Sequence, residues 1–481
     1  MLEATQTAMW QRLSRRFRSL AAASVKAGLD MIDDKCQTLE IEAANAMDFS
    51  QSRALQPKAH RLIPGGSHTY AKGDDQYPEH APGFIARGKG CHVWDLDGNE
   101  FIEYGMGLRA IALGHAFEPV VEAAARQMRL GVNFNRPSKL EVDLAEAMLD
   151  IIDGADMVKF AKNGSDVTTA AVKLARAYTG RDQVAICRDQ PFFSVDDWFI
   201  GSTDMNAGIP ESVVSMTLKF PYNDPSGLQD LFERHPGQIA CVVMEAEAVT
   251  PPAPGYLEAV KELCESHGAI LIFDEMITGF RWHLGGAQKF HGVIPHLSTF
   301  GKAMGNGFAI AALAGKREIM QLGGLHHEQE RVFLLSTTHG AETHALAASL
   351  ETIRIFRKEG VVEVLWRQGE RLRAGVNEAI AGRRLAGHFE LAGRPCNIIY
   401  RTLDQQGVPS QAFRTLFLQE LIRGGILAPS FVVSFSHTDE DIDRTIDVVD
   451  QALGVYAKAL EHGVHHYLVG RPVKPVNRAF A

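Results

Sequence analysis

Between residues 110 and 320, short apolar runs alternate with longer segments that carry apolar residues at helical spacing. This alternation constrains the fold more than any other feature, because it is typical of an α/β protein in which helices cover both faces of a mostly parallel sheet. We predict strands at residues 157–161, 184–187, 213–218, 239–245 and 269–274, and helices that include residues 167–178 and 256–267. Ligands of such sheets bind at the carboxyl ends of the strands, so the residues that end the apolar runs are the first candidates for a site.

Changes in composition divide the chain into four predicted segments. Residues 1–62 contain helix-forming residues and few Gly or Pro, which predicts an N-terminal helical extension. Residues 63–105 are rich in turns and include a predicted hairpin at residues 97–99, and we assign them to the N-terminal part of a small domain. Residues 106–345 form the predicted large domain, and residues 346–481 complete the small α+β domain.

Charge and composition narrow the class of function. The formal net charge is −9, whereas a nucleic-acid-binding protein usually has a basic face, so we expect a protein that acts on small molecules. The six cysteines include no CxxC pair, which predicts reduced thiols rather than a zinc or disulfide framework. No apolar stretch approaches the ~18 residues of a membrane span, and the N-terminus lacks the apolar core of a signal peptide. We therefore expect a cytoplasmic protein with neither a membrane nor a nucleic-acid partner.

Two charged residues of the predicted large domain stand out as candidates for chemistry. The apolar run over residues 270–273 ends in Asp274, where a ligand-facing carboxylate is expected, although a turn or helix-capping role fits the pattern equally well. Lys302 stands alone among glycines and apolar residues in the segment 298–307. An amine in such surroundings is partly desolvated, which lowers its pKa and makes it a nucleophile toward a carbonyl carbon. We predict Lys302 and Asp274 as catalytic residues, with a surface lysine in a glycine-rich loop as the alternative.

A phosphate site is predicted at Gly164 and Ser165, which follow one predicted strand and precede a helix. The N–H groups at a helix start bind anions, and helix capping by Ser165 can coexist with that role. Phe192 follows the next strand, where its ring could stack on a planar ligand, although a lone aromatic residue more often belongs to a core.

Other classes of protein fit the sequence less well. Residues 105–110 satisfy a loose G-x-G-x-x-A motif of nicotinamide-dependent dehydrogenases, but no clear strand precedes them. A phosphate-loop nucleotidase is excluded because Lys302 is followed by Ala303. The adjacent histidines 326–327 and 465–466 would point to different faces of an element, so we expect no metal site. A non-enzymatic binding protein would explain the fold but not the lysine, the aspartate and the phosphate turn together.

The motifs at residues 163–166, 273–281 and 301–307 resemble, in this order and spacing, those of the class III (subgroup II) aminotransferases. These are pyridoxal-phosphate (PLP) enzymes of fold type I, the aspartate aminotransferase-like fold with a seven-stranded sheet in its large domain. The resemblance covers about residues 60–460. It is stronger for the branch that contains glutamate-1-semialdehyde 2,1-aminomutase and related sugar aminotransferases.

The resemblance implies a role for each matching residue. Lys302 would form the Schiff base with PLP and also transfer protons, and Asp274 would pair with the pyridinium nitrogen. Thr338 would reach the PLP phosphate of the neighbouring subunit, which implies a homodimer, and Glu245 matches the glutamate of the family's Glu-Pro pair. The implied cofactor-binding residues are Gly164, Ser165, Phe192, Glu245, Asp274, Lys302 and Thr338.

Departures from the family pattern bear on the substrate. Phe192 and Phe193 replace the family's Tyr-His, so ring stacking survives but a phenol hydroxyl is lost, and Ala246 stands where proline is usual. The segment 428–441 is shorter than in the aminomutases. Lys72 falls at the position of their substrate-carboxylate arginine, as a compact charge rather than a bidentate fork.

These departures favour amino transfer between two substrates. We expect an amino-acid donor, glutamate, and a carbonyl acceptor such as an oxidised sugar, with Lys72 and Arg109 as candidate substrate ligands. A solvated structural charge is an equal alternative for each of these two residues. The internal conversion of glutamate 1-semialdehyde to 5-aminolevulinate is the alternative reaction.

Overall fold

The computed structural model describes residues 47–190, 192–476 and 478. The chain divides into two units, Met1–Asp48 and Phe49–Ala481, and the second is described below. Most of the predicted N-terminal extension lies outside the described residues; its described end is a helix from Ser50 to Leu62. Of the helices that the structure describes, none has the length and apolarity that crossing a membrane requires.

The strands of the described residues alternate with helices along much of the chain. The strands are β1 (Ile85–Lys89), β2 (His92–Asp95), β3 (Glu100–Glu103), β4 (Met157–Ala161), β5 (Gln183–Cys187), β6 (Thr217–Phe220), β7 (Ile239–Met244), β8 (Ile270–Asp274), β9 (Leu297–Phe300), β10 (Ala311–Gly315), β11 (Phe389–Ala392), β12 (Ile399–Thr402) and β13 (Ile426–Leu427). The right-handed α-helices are α1 (Ser50–Leu62), α2 (Glu118–Met128), α3 (Lys139–Leu149), α4 (Gly164–Thr179), α5 (Asp197–Ile200), α6 (Glu211–Val214), α7 (Pro225–Arg234), α8 (Tyr256–Ser266), α9 (Gly286–His291), α10 (Arg317–Met320), α11 (Thr343–Glu359), α12 (Val361–Gly382), α13 (Gln411–Arg423) and α14 (Asp439–His462).

A seven-stranded sheet forms the centre of the unit, in the order β4-β10-β9-β8-β7-β5-β6. The pairs from β6 through β9 are parallel, and β10 is antiparallel to both of its neighbours. Every residue of β7 and β8 is buried, as expected for strands covered by helices on both faces. The prediction of an α/β fold with a large, mostly parallel sheet is therefore confirmed.

Helix α4 shows how the helices cover this sheet. Its apolar residues recur at helical spacing and are buried, including Val167, Ala170, Ala171 and Leu174. The helix ends at Gly180, whose φ of 67° is a left-handed conformation that glycine adopts without steric cost. The small side chains on its buried face allow α4 to lie close to the sheet and bring its first residue to the carboxyl ends of the strands.

One predicted strand is wrong. Residues 213–218 were expected to be extended, but Glu211–Val214 form α6 and the strand β6 begins only at Thr217. Valine favours strands, yet Pro210 precedes the turn and its carbonyl oxygen accepts a hydrogen bond from the N–H of Val213 at 2.9 Å. The local turn chemistry overrides the weak strand preference of valine here.

A four-stranded sheet joins distant parts of the chain, in the order β1-β2-β3-β13. Strands β2 and β3 form the predicted hairpin, and β13 pairs in parallel with β3 through Ile426 and Ile102. This pairing supports the proposal that residues 63–105 and 346–481 share a small domain. The bounds of the four predicted segments stay predictions.

Candidate active site

Asp274 and Lys302 lie at the ends of neighbouring strands. Asp274 is the last residue of β8 and pairs in register with Thr299 of β9, and Lys302 opens the short turn that follows β9. Asp274 is only 2% exposed, and its carboxylate accepts a hydrogen bond from the N–H of Met276 at 2.8 Å. Lys302 is partly exposed and has a φ of 46°, a left-handed conformation that costs energy in a residue with a side chain. The structure thus brings together the two residues predicted to be catalytic.

The charges at this strand edge shift one another's pKa values. Burial raises the pKa of Asp274 to about 6, against the opposing effect of the Lys302 ammonium group. Burial lowers the pKa of Lys302, and the carboxylates of Asp274 and Glu245 oppose that shift. A larger share of Lys302 is therefore a neutral, nucleophilic amine than in water.

Glu245 is a third charged group at the same edge. It follows β7 and is 3% exposed. Its N–H donates to Oε1 of Gln190 at 2.8 Å, and Nε2 of Gln190 donates back to its carbonyl oxygen at 2.5 Å. Burial, and then the Asp274 carboxylate, raise the pKa of Glu245 to about 8. Burial therefore favours the protonated form of this side chain more than water does.

Gly164 and Gly301 allow the helix start and the lysine loop to meet. A Cβ atom added at Gly164 would lie 3.1 Å from Sδ of Met276, and one added at Gly301 would lie 2.7 Å from the same atom. A side chain at Gly301 would force Met276 to move, and one at Gly164 would press tightly against it. The start of α4, the segment after Asp274 and the segment before Lys302 therefore converge on Met276. Ser165 lies in the first turn of α4, and its Oγ accepts from the N–H of Val195 at 3.1 Å.

Phe192 lies after β5 with about half of its surface exposed. Its ring packs edge-on against Phe199, with a centroid distance of 5.6 Å. The next residue, Phe193, is buried, and its carbonyl oxygen accepts from Oγ1 of Thr168 on α4 at 2.7 Å. The segment is thus anchored to the helix whose start forms the predicted phosphate turn, and about half of the Phe192 side chain remains accessible.

Thr338 and Lys72 are exposed side chains. The carbonyl oxygen of Thr338 accepts from Nδ2 of Asn133 at 2.9 Å, which ties its loop to the segment after α2. Lys72 ends the short turn Tyr70–Lys72. The predicted roles of both residues toward a cofactor or substrate stay predictions.

Arg109 belongs to a left-handed helical turn. The φ angles of Met106, Gly107, Leu108 and Arg109 are 44°, 58°, 57° and 72°, a conformation that costs about 1–2 kcal/mol for each residue with a side chain. Both carboxylate oxygens of Glu103 accept from the N–H of Met106, at 2.7 and 2.8 Å. The expectation that no strand precedes residues 105–110 is wrong, because β3 ends at Glu103. A left-handed turn rather than a right-handed helix follows this strand, so the motif still lacks the strand-then-helix setting of a dehydrogenase.

Side chains from elsewhere in the chain hold this turn and its arginine. Arg281, which is fully buried, donates from Nη2 to the carbonyl oxygens of Arg109 at 3.1 Å and Ile111 at 2.9 Å. Nε of Arg109 donates to Oδ1 of Asn397 at 2.8 Å. The charge of Arg109 lowers the pKa of Glu245, as does that of Lys302. Arg109 therefore lies on the same charged site as Lys302.

Three residues of this arrangement were not predicted: Glu275, Arg281 and Asn397. Glu275 is buried and accepts from the N–H groups of Ala287 at 2.7 Å and Gln288 at 2.8 Å, so it caps α9. The sequence analysis chose Asp274 of the adjacent acids 274–275 and assigned no role to Glu275. No sequence signal marks Asn397, because its partner lies 288 residues away in the chain.

A separate cluster contains Cys91, His92 and Asp441, whose donor atoms all lie within 4.8 Å of one another. Asp441 accepts from Sγ of Cys91 at 3.3 Å, contacts Nε2 of His92 at 3.1 Å, and accepts from the N–H of Thr438 at 3.0 Å. Capping of α14 accounts for the contact with Thr438. The expectation that the chain holds no metal stays a prediction.

The comparisons with known proteins agree with this fold and site. The model of the family described as "Aminotransferase class-III" matches residues 75–387. The 3-aminobutyryl-CoA aminotransferase of Cloacimonas acidaminovorans (strain Evry) is 31% identical over 427 residues, which cover 87% of this chain and 100% of that protein. A glutamate-1-semialdehyde 2,1-aminomutase of Persephonella marina (strain DSM 14350 / EX-H1) is 31% identical over 423 residues, 83% of this chain and 98% of that protein.

A solved structure extends the likeness to three dimensions. The FumI protein of Sphingopyxis sp. MTA144, solved in its PLP internal aldimine form, superposes with a TM-score of 0.78 at 27% identity. The superposition covers 85% of this chain and 97% of that one. The chain belongs to the class III aminotransferases. It is a PLP-dependent enzyme.

Proposed function

We propose that the chain transfers an amino group from an amino-acid donor, glutamate, to a carbonyl acceptor such as an oxidised sugar. The observation that carries this proposal is the convergence of Lys302, Asp274 and the start of α4 around Met276. PLP has three groups that need partners, an aldehyde, a ring nitrogen and a phosphate, and the three converging elements offer one partner for each.

The donor set fits PLP by its chemistry. Lys302 would hold the aldehyde carbon, and bound PLP then supplies a ring that takes up the electron pair released when the substrate Cα loses its proton. Asp274 would hold the protonated ring nitrogen. A buried carboxylate whose pKa is raised to about 6 is stabilised when it gains a cationic partner, so cofactor binding relieves the cost of burying Asp274. Gly164 and Ser165 would hold the phosphate at the helix start, and Phe192 would cover one face of the ring.

Lys302 also fits the role of proton carrier. When it is not attached to the cofactor, its side chain would be a free amine that can move a proton at the substrate Cα. Burial lowers its pKa, so the amine can take a proton from carbon and return it without becoming trapped as a stable ammonium ion. Asp274 and Glu245 oppose that shift and so stabilise the ammonium form while it holds the proton.

We place the site at the interface of a homodimer, with Thr338 on the phosphate of the partner's cofactor. Beside its loop, the segment after α2 exposes the large apolar side chains of Leu130, Val132 and Phe134. Asn133 of that segment bonds to the carbonyl oxygen of Thr338. Exposed apolar groups gathered on one surface are typical of a protein interface, which supports a second copy docking where Thr338 lies.

An aminomutase is the second candidate function, because a relative of that name matches at the same 31% identity as the aminotransferase. The two reactions differ in their need for a second substrate. An aminomutase returns the amino group to the same molecule, whereas a transaminase releases one product before the acceptor binds.

Half-reactions distinguish these functions. Enzyme loaded with PLP is mixed with glutamate, and the visible absorption band should disappear; keto-sugar or 2-oxo acid acceptors should restore it. Formation of 5-aminolevulinate from glutamate 1-semialdehyde, faster than any acceptor-dependent turnover, would replace the transaminase proposal with the aminomutase.

Subunit mixing tests the shared site. Thr338→Ala should weaken PLP binding about 10- to 100-fold, the worth of one hydrogen bond to a charged group, whereas Thr337→Ala should not. Mixed dimers of Lys302→Ala and Thr338→Ala chains contain one site in which both residues are intact. PLP affinity and activity should therefore recover on mixing, and absence of recovery in confirmed mixed dimers would place Thr338 in the site of its own chain.

A further inference from the structure

The guanidinium group of Arg109 is mostly enclosed yet incompletely paired. Nε donates to Asn397, and Nη2 reaches Oγ of Ser430 only at 3.5 Å. Across residues 47–190, 192–476 and 478, no carboxylate lies within 4.0 Å of Arg109, and Nη1 has no hydrogen-bond acceptor. Burying an unpaired cation is costly, so such an arrangement is expected where an anion binds.

Arg281 provides the contrast. It is more deeply buried than Arg109, but it donates to the carbonyl oxygens of Arg109, Ile111 and Val433. Both of its terminal nitrogens donate to backbone carbonyl oxygens and only Nε lacks an acceptor, which is the pattern of an arginine that holds the fold together. Arg109 differs because it keeps one edge of its fork free and partly exposed, on the site that also contains Glu245 and Lys302.

The backbone that carries Arg109 is built to place this side chain. The left-handed turn is anchored at its start by Glu103 and at its end by Arg281. Asn397 is 5% exposed and fixes the guanidinium through a neutral acceptor. An aspartate there would neutralise the arginine, whereas asparagine orients it and leaves its charge available.

We infer that Arg109 binds a carboxylate group of the substrate, and that Asn397 is the positioning residue for its guanidinium. The fork geometry of arginine suits a carboxylate, which it can bind through two parallel hydrogen bonds. The inference rests on the proposed function, because it makes the donor or acceptor an anion. It assigns to Arg109 the recognition of the non-reacting end of that molecule.

Calorimetry on the PLP-loaded enzyme tests this subsite without turnover. The probes are glutarate, an unreactive dicarboxylate, and glutaramide, its neutral isostere. Arg109→Gln should weaken glutarate binding about 10- to 100-fold and leave glutaramide binding unchanged. Arg109→Lys should restore part of the loss, because it keeps the charge but not the fork. Arg401→Gln is the matched control, since Arg401 is exposed and pairs with Glu390.

Asn397 variants test the positioning role. Asn397→Ala should weaken glutarate binding, and adding it to Arg109→Gln should cause no further loss, because both act through one guanidinium. Asn397→Asp should nearly abolish binding by supplying an internal carboxylate partner. With a carboxylate-bearing amino donor, Asn397→Ala should raise KM more than it lowers kcat.

Two results would overturn the inference: wild-type enzyme that binds glutarate no better than glutaramide, or an Arg109→Gln variant with unchanged glutarate affinity. Inorganic phosphate that binds through Arg109 in place of glutarate would overturn the assignment to a carboxylate. Failure of the proposed function would give a different experimental result from failure of this inference. The enzyme would then transfer no amino group while its glutarate affinity still depended on Arg109.

Discussion

The two sides of the site are built in different ways. On the sheet side, Asp274, Lys302 and Gly164 each stand at the end or start of a regular element. On the opposite side, Arg109 stands on a left-handed turn that Glu103, Arg281 and Asn397 hold from separate parts of the chain. The first arrangement follows from the architecture of a parallel sheet. The second requires a strained backbone that long-range hydrogen bonds hold in place. We propose that this side of the site selects the substrate.

The largest expected effect is on the sheet side. Lys302→Ala should reduce amino transfer on the order of 10⁴-fold or more, because we propose that this one residue supplies both the attachment point of PLP and the proton carrier. The visible absorption of the loaded enzyme should shift as the lysine is lost. Lys159→Ala, at an exposed lysine on β4 of the same sheet, is the control and should retain both properties. Full activity in Lys302→Ala would remove the basis of the proposed chemistry.

The adjacent acids Asp274 and Glu275 separate a role in the reaction from a role in stability at the end of one strand. Asp274→Asn should lower kcat about 10²- to 10³-fold with little change in the free energy of unfolding, because a charge that acts on the reaction is lost. Glu275→Gln should lower the free energy of unfolding by about 1–3 kcal/mol, because Glu275 caps α9, while activity per folded molecule is kept. Denaturant unfolding and steady-state kinetics on both variants separate the two roles. Equal kinetic losses would mean that Glu275 also acts on the reaction.

Two nearby glutamates should make the free energy of unfolding depend on pH in opposite directions. Burial raises the pKa of Glu245 from 4.5 to about 8, so the folded apoenzyme binds this proton more tightly than the unfolded chain and loses stability as pH rises from 4.5 to about 8. Glu245→Gln removes that cost, and its stability gain over wild type should grow with pH to a few kcal/mol, on the order of 1.4 kcal/mol per unit of pKa.

Glu247 supplies the matched control. Burial would raise its pKa, but the hydrogen bonds from His291 and Arg394 hold the pKa of Glu247 below its usual value. Glu247→Gln should therefore lose stability at neutral pH and regain it relative to wild type only as pH falls below 4.5. Thermal unfolding of the apoenzyme between pH 4 and 9 measures both. A pH-independent difference for Glu245→Gln would show that Glu245 does not titrate in this range.

The smallest expected effect is on the left-handed turn. Glu103→Gln keeps the shape of the side chain but removes one of the two oxygens that accept from Met106, which should cost about 1 kcal/mol of unfolding free energy. Glutarate affinity should fall severalfold while PLP content stays at one per chain. A loss of PLP without a loss of glutarate affinity would contradict the division of the site into two sides.

Much of the sheet side could be predicted from local pattern. The strand that ends at Asp274 and the helix that begins at Gly164 occur close to their predicted positions. An uninterrupted apolar run marks a strand buried on both faces, and the first polar residue after it falls at the ligand edge. The pattern failed at residues 213–218, where valines occupy a helical turn and strand preference alone was misleading.

The sequence by itself determined the fold class and the strand that ends at Asp274, and it marked Lys302 as the candidate nucleophile, because each depends on the pattern of residues within a short window. Only the tertiary structure decided that Asp274 faces the site while Glu275 turns to α9, since successive side chains leave a strand on opposite sides. The tertiary structure alone also decided which residues surround and orient Arg109. Arg109 and Asn397 are 288 residues apart, and a hydrogen bond over that separation leaves no periodicity in the sequence from which it could be predicted.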